Sequence, residues 1–95
     1  MNRRLAARLI AVLAGLLGAA TARAEPTWID VRSPEEYRAD HIEGDPNLPF
    51  SGITQTIEAV APARDAEIVL YCDSGIRSSV AKMTLGRMGY TNVRN

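Results

Sequence analysis

Hydrophobic and polar positions divide the chain into an apolar leader and a series of short, differently patterned runs. From Leu9 to Ala20 the residues are Leu, Ile, Val, Ala and Gly without interruption. After Glu25 the pattern shortens. Trp28-Ile29-Asp30-Val31 reads as a first strand, and Pro34 to Ala39 as a short helix with Ser33 as N-cap. Pro34 then falls at the first helical position, where a missing N–H costs the helix nothing. Ile53, Ile57 and Val60 recur at helical spacing. After the turn-like "APARDA", Glu67 to Tyr71 ("EIVLY") is a continuous apolar run of β-favouring residues. A run without alternation suits a central parallel strand covered on both faces. Beyond it, Ser78 or Ser79 is expected to cap a helix whose inner face carries Ala81, Leu85 and Met88 and which stops at Gly89. Gly86 inside that helix weakens it by about 1 kcal/mol relative to alanine. A buried strand that leads through a loop into a helix reads as the central parallel strand of an open α/β sheet.

The leader changes the charge balance. Arg3, Arg4 and Arg8 precede the apolar run and Ala22-Arg23-Ala24 follows it, the arrangement of a secretory signal cleaved before Glu25. The twelve-residue run is short of the roughly 18 to 20 residues a membrane span needs. Residues 1–24 are therefore read as a signal peptide and 25–95 as a single domain bound for the periplasm. The precursor has 11 basic and 11 acidic residues. Cleavage removes four arginines and no acids, leaving a mature chain of formal charge −4. A mildly acidic domain without a basic run does not read as a nucleic-acid binder. No internal repeat or low-complexity tract divides it. Its 71 residues lie near the lower limit for burying an adequate core.

Cys72 is the single cysteine, so no disulfide can form within the chain. That leaves a buried apolar thiol, an intermolecular bridge or a reactive nucleophile. Its place between a buried strand and a helix favours the third. In an open α/β sheet, ligands bind beyond the carboxyl ends of the strands. The loop Cys72-Asp73-Ser74-Gly75-Ile76-Arg77 leads into a helix N-terminus, where free N–H groups and the helix dipole favour an anion or a thiolate. Gly75 permits the close turn, and Arg77 adds a permanent cation. His41 is the single histidine, and a Cys-His nucleophile pair is conceivable. One Cys and one His do not make a closed zinc site. No metal or other cofactor is therefore expected. Asp30 and Arg32, at the end of the first strand, read as an ion pair or turn contact that holds the loop.

"WIDVRSPEEYRADHIEGDPNLPF" followed by "IVLYCDSGIRSSVAKMTLGRMGYTNVRN" resembles a rhodanese domain, and within that family the small single-domain periplasmic thiosulfate sulfurtransferases of the phage-shock type. The resemblance runs from Trp28 to Asn95. It implies an α/β fold with a central, mainly parallel sheet flanked by helices, a structural turn at "DHIEG" that holds His41, and a cysteine, Cys72, that accepts a sulfane sulfur as a persulfide. Asp73, Ser74, Gly75, Ile76, Arg77 and Ser78 would form the substrate-binding loop, with thiosulfate as donor and a thiol or cyanide as acceptor. Cysteine phosphatases and arsenate reductases share the fold but resemble C-x5-R in this loop; the chain has C-x4-R, a shorter cradle that favours sulfur transfer. A non-catalytic rhodanese-like module that binds anions or carries sulfur for a partner is the alternative reading. Two departures stand out. Asp73 places a carboxylate beside the thiol, and relatives usually continue past "GYTNVRN" into a last helix. Without that helix one face of the sheet is expected to lie open, or to be covered by a protein partner.

Overall fold

The computed structural model describes residues 25–95, so the expected signal peptide lies outside the described residues. Six elements follow in order: β1 (Thr27–Asp30), α1 (Pro34–Ala39), α2 (Ile53–Val60, entered through a 3-10 turn at Phe50–Gly52), β2 (Ile68–Tyr71), α3 (Ile76–Arg87) and β3 (Val93–Arg94). The three strands form one sheet in the order β1-β2-β3. Both pairings are parallel: β1 meets β2 with Ile29 opposite Leu70 and Asp30 opposite Tyr71, and β2 meets β3 with Ile68 opposite Val93.

This register gives the sheet two chemically different faces. Ile29, Ile68 and Leu70 share one face, and with Val31 they join Ile53 and Ile57 of α2 and Ala81 and Leu85 of α3 in the main core. Each such buried side chain contributes roughly 1.5–3 kcal/mol. The opposite face carries Trp28, Asp30, Val69 and Tyr71, and it is here that polar groups are buried. Val69 is 9 % exposed and Ile68 and Leu70 are nearly inaccessible, so the central strand is covered on both faces. The expectation of an open sheet face is not met at this strand. β2 reads as an unbroken apolar run because it lies between the other two strands and has protein above and below.

Local sequence accounts for most element boundaries. α1 begins as expected: Ser33 Oγ accepts from Glu36 N–H at 3.2 Å, and Glu36 Oε1 accepts from Ser33 N–H at 3.2 Å, a reciprocal capping box. The strands are slightly shifted from the sequence reading. Val31 is buried but lies past the end of β1, and β2 starts at Ile68 rather than Glu67.

The start of α3 departs further. Its N-cap is Gly75, with φ of +87°, and neither Ser78 nor Ser79 caps it. Ser79 N–H already donates to Gly75 C=O at 3.0 Å, so Ile76, Arg77 and Ser78 are the first turn of the helix and not part of a loop. The reason is that the capping acceptor comes from outside the helix, from the Cys72 sulfur.

Candidate active site

Cys72 follows the last residue of β2 and is half-buried against the core. Its sulfur accepts hydrogen bonds from Gly75 N–H at 3.1 Å and Ser78 N–H at 3.4 Å. These are the N-cap and third helical positions of α3, donors that an N-terminus leaves without intrahelical partners. The thiol also lies 3.7 Å from Ser78 Oγ. Ser78 is 2 % exposed, and its hydroxyl donates to Gly75 C=O at 3.1 Å, which pins the first turn around the sulfur. Asn95 donates to the same hydroxyl at 3.3 Å.

Burial pushes the Cys72 thiol pKa up, but the N–H and hydroxyl of Ser78 and the N–H groups of Gly75 and Arg77 outweigh it. The net result is a pKa below the ordinary thiol value. The positive end of a twelve-residue helix acts in the same direction. The geometry therefore places a thiol with a lowered pKa at the end of the central strand.

Arg77 does not point a free guanidinium at the sulfur. It forms a two-pronged ion pair with Glu36, Nη1 to Oε1 at 2.7 Å and Nη2 to Oε2 at 3.0 Å. The Arg77 hydrogen bonds, helped by the N–H and hydroxyl of Ser33, hold the Glu36 pKa down to about 2. The pairing with Glu36 likewise raises the pKa of Arg77, which stays charged. Glu36 thus ties the start of α1 to the start of α3. The sequence reading did not single it out, and nothing local reveals a partner 41 positions away.

A second cation, Arg32, lines the same cavity as the thiol. Arg32 forks onto the fully buried carboxylate of Asp30, with Nη2 to Oδ2 at 2.8 Å, and also donates to Asp40 C=O at 2.7 Å. This is the loop-holding ion pair expected from the sequence. Arg32 Nη1 also lies 3.8 Å from Asp73 Oδ1, a carboxylate that is 71 % exposed. Arg32, Asp40, His41, Ile42, Glu43, Tyr71, Cys72 and Asp73 line a cavity of about 430 Å³. Its size is within the range of small-molecule sites. On its wall His41 stacks on Tyr37, with ring centroids 3.9 Å apart, and its Nδ1 is 2.6 Å from Tyr37 C=O. Tyr71 closes the inner side, donating to the buried Asp45 carboxylate at 2.7 Å.

Of the loop residues singled out from sequence, the fold gathers Cys72, Gly75 and Ser78 into one cradle. Asp73 stays at its rim, and Ser74 caps the turn by accepting from Ile76 N–H at 3.4 Å. The Ile76 side chain is 70 % exposed and contributes only its backbone. Among the described residues, no group of three or more His, Cys, Asp and Glu is placed to hold a metal ion.

A parallel α/β sheet that delivers a lone cysteine to the N-terminal turn of a helix is the arrangement of a cysteine-loop domain. The chain matches the Rhodanese-like domain family over residues 13–95, and it belongs to that family. It is 40 % identical over 68 residues to the thiosulfate sulfurtransferase PspE of Escherichia coli K12, covering 72 % of this chain and 65 % of that protein. It is 37 % identical over 67 residues to the uncharacterized protein YqhL of Bacillus subtilis, covering 70 % and 52 %. The chain thus spans between about half and two thirds of the length of these curated relatives. Among solved structures it is similar to a rhodanese with anions from E. coli, with a TM-score of 0.70, 38 % identity and coverage of 75 % of this chain and 84 % of that one. A thiosulfate sulfurtransferase from Pseudomonas aeruginosa is matched at a TM-score of 0.68 and 36 % identity, over 77 % of this chain and 14 % of that one.

Proposed function

We propose that this chain is a thiosulfate sulfurtransferase that carries sulfur as a persulfide on Cys72. The observation that carries the reading is the Cys72 sulfur itself, which takes two backbone N–H groups at the N-terminus of α3. Similarity to a named thiosulfate sulfurtransferase and to a rhodanese solved with anions supports it. The Cys72 thiolate attacks the outer sulfur of thiosulfate, the S–S bond of the donor breaks, and sulfite leaves with the electron pair. A thiolate or cyanide then attacks the outer sulfur of the persulfide and the Cys72 thiolate returns. The two half-reactions predict ping-pong kinetics.

Thiosulfate brings two negative charges to a thiolate, so the site must supply donors where that charge gathers. In this reading the N-terminal turn of α3 faces the donor, and Arg32 and Arg77, each paired with a carboxylate, frame the site. Because both cations are held in ion pairs, Arg32 by Asp30 and Arg77 by Glu36, they are fixed before substrate arrives. We read residues 1–24 as a cleaved leader and the periplasm as the place of action. Among the described residues no helix is long and apolar enough to cross a membrane.

The test is mass spectrometry of the mature chain after incubation with thiosulfate, with and without cyanide, beside Cys72→Ser. The expected result is one added sulfur atom on Cys72 that cyanide removes as thiocyanate. A folded chain that takes up no sulfur overturns the reading in favour of a non-catalytic module.

A further inference from the structure

The described residues expose three large hydrophobic side chains, and all are on α3: Ile76 at 70 %, Val80 at 44 % and Met83 at 59 %. At 3.6 residues per turn they lie, with Arg87, within an arc of about 60°, opposite the buried Ala81 and Leu85. The arc begins one residue after Gly75, whose N–H holds the Cys72 sulfur. From Ile76 to Arg87 it runs roughly 16 Å along the helix.

Charge singles out the same helix. Arg32, Arg38, Arg64, Arg77 and Arg94 are each paired with a carboxylate. Lys82 and Arg87 are the described basic residues without an acidic partner, and both belong to α3, which has no acidic residue. A domain with a formal charge of −4 therefore leaves two cations unneutralised on this helix, Arg87 within the exposed apolar stripe and Lys82 on its flank, about 100° round the helix from Met83.

We propose that this face of α3 docks the protein that carries the acceptor thiol, and that this partner presents an apolar patch with an acidic rim. The inference rests on the sulfurtransferase reading and names its second substrate. The partner's thiolate attacks the outer sulfur of the Cys72 persulfide, its proton having gone to solvent. The Cys72 S–S bond breaks and the partner leaves as the persulfide. A second copy of this chain fits less well, since pairing α3 with itself sets cations against cations. A lipid surface also fits less well, because the clusters that hold anionic membranes carry about four to eight cations.

The probe is a synthetic amphipathic helical peptide with a leucine face, a glutamate rim and one cysteine, compared with a sibling whose glutamates are lysines. Transfer from the persulfidated chain should be about tenfold faster to the acidic peptide at low salt. Lys82→Glu with Arg87→Glu should remove that preference. Val80→Ser with Met83→Ser should slow transfer to both peptides by roughly tenfold, with cyanide still converted at the original rate in every variant. A labelled acidic peptide with serine for cysteine reads docking without sulfur: it should bind the unmodified chain and not the charge-reversed one. If no persulfide forms but this peptide binds, the sulfurtransferase reading fails and the docking face stands. Equal rates and equal binding for the two peptides overturn the docking face. So does a dimer that Val80→Ser with Met83→Ser dissolves, or binding to anionic phospholipid vesicles that the charge reversal abolishes.

Discussion

Replacing Gly75 with alanine separates the backbone requirement of the sulfur cradle from its packing. Gly75 has φ of +87°, and a Cβ placed on it meets no atom within 4 Å. Collision is therefore absent, and what remains is the left-handed conformation. For an L side chain that costs about 1–2 kcal/mol. A stiffer unfolded chain offsets about 0.4–1 kcal/mol of it. The net loss is about 1 kcal/mol, or about 4–8 °C in Tm for a domain of this size. Because nothing drives the backbone away, the N–H of residue 75 keeps its 3.1 Å hydrogen bond to Cys72 Sγ. Sulfur transfer should then stay within about threefold of the parent, a barrier change under 1 kcal/mol. Thermal unfolding followed by circular dichroism, with thiocyanate formation measured well below Tm, reads both quantities. Gly89→Ala is the control. Gly89 also has a positive φ, +95°, and its Cβ would make ordinary contact with the Arg64 side chain at 3.9 Å, away from the sulfur. It should lose similar stability with full activity. A fall of more than about 15 °C for Gly75→Ala, or a tenfold loss of transfer in the folded protein, would refute the reasoning, since either requires the cradle to rearrange.

Three further outcomes are expected. Glu36 takes up its proton near pH 2 in the folded chain against an ordinary 4.5, so as pH falls the unfolded state binds that proton first and stability drops from about pH 5 towards 2. Glu36→Gln should remove this part of the acid sensitivity, and an unchanged acid-unfolding curve would argue against the Arg77 pairing. Asp73→Arg replaces an exposed carboxylate 3.8 Å from Arg32 with a cation and should raise kcat/KM for thiosulfate by about threefold to tenfold, less at high salt. No change, or a fall, would show that Asp73 does not repel the donor. Tyr90→Phe removes the hydroxyl that donates to Ala61 C=O at 2.7 Å and accepts from Arg64 at 2.8 Å. Urea unfolding should show a loss of about 1–3 kcal/mol with sulfur transfer unaltered, and a silent substitution would mean the carbonyl finds another donor.

Much of the architecture is written in short stretches of the chain. Ser33-Pro34 with Glu36 sets the start of α1, because a capping box is complete within four residues. The unbroken Ile68–Leu70 run marks a strand buried on both faces, and the cysteine after it must then emerge at the strand's carboxyl end. The spacing of Ile53 and Ile57 places α2 on the core for the same kind of local reason. The start of α3 was not legible in this way. A serine is the usual N-cap, and only the folded turn shows that a sulfur three residues before Gly75 supplies the acceptor and moves the helix start back to Ile76.

The sequence by itself determined the order of β1, α1, α2, β2 and α3, the single thiol at the end of the central strand, and the helix that follows it, whereas the two-residue β3 was not read from it. These follow from periodicity, capping and composition, all of which act over a few residues. Tertiary structure decided which charges meet: Arg77 with Glu36, Arg32 between Asp30 and Asp73, while among the described residues Lys82 and Arg87 meet no acid. Any of the chain's carboxylates is chemically fit to pair with any of its guanidinium groups. Only the parallel register, which sets β1 against β2 and so brings the start of α1 beside the start of α3, selects the pairs that surround Cys72 and leaves the cations that do not.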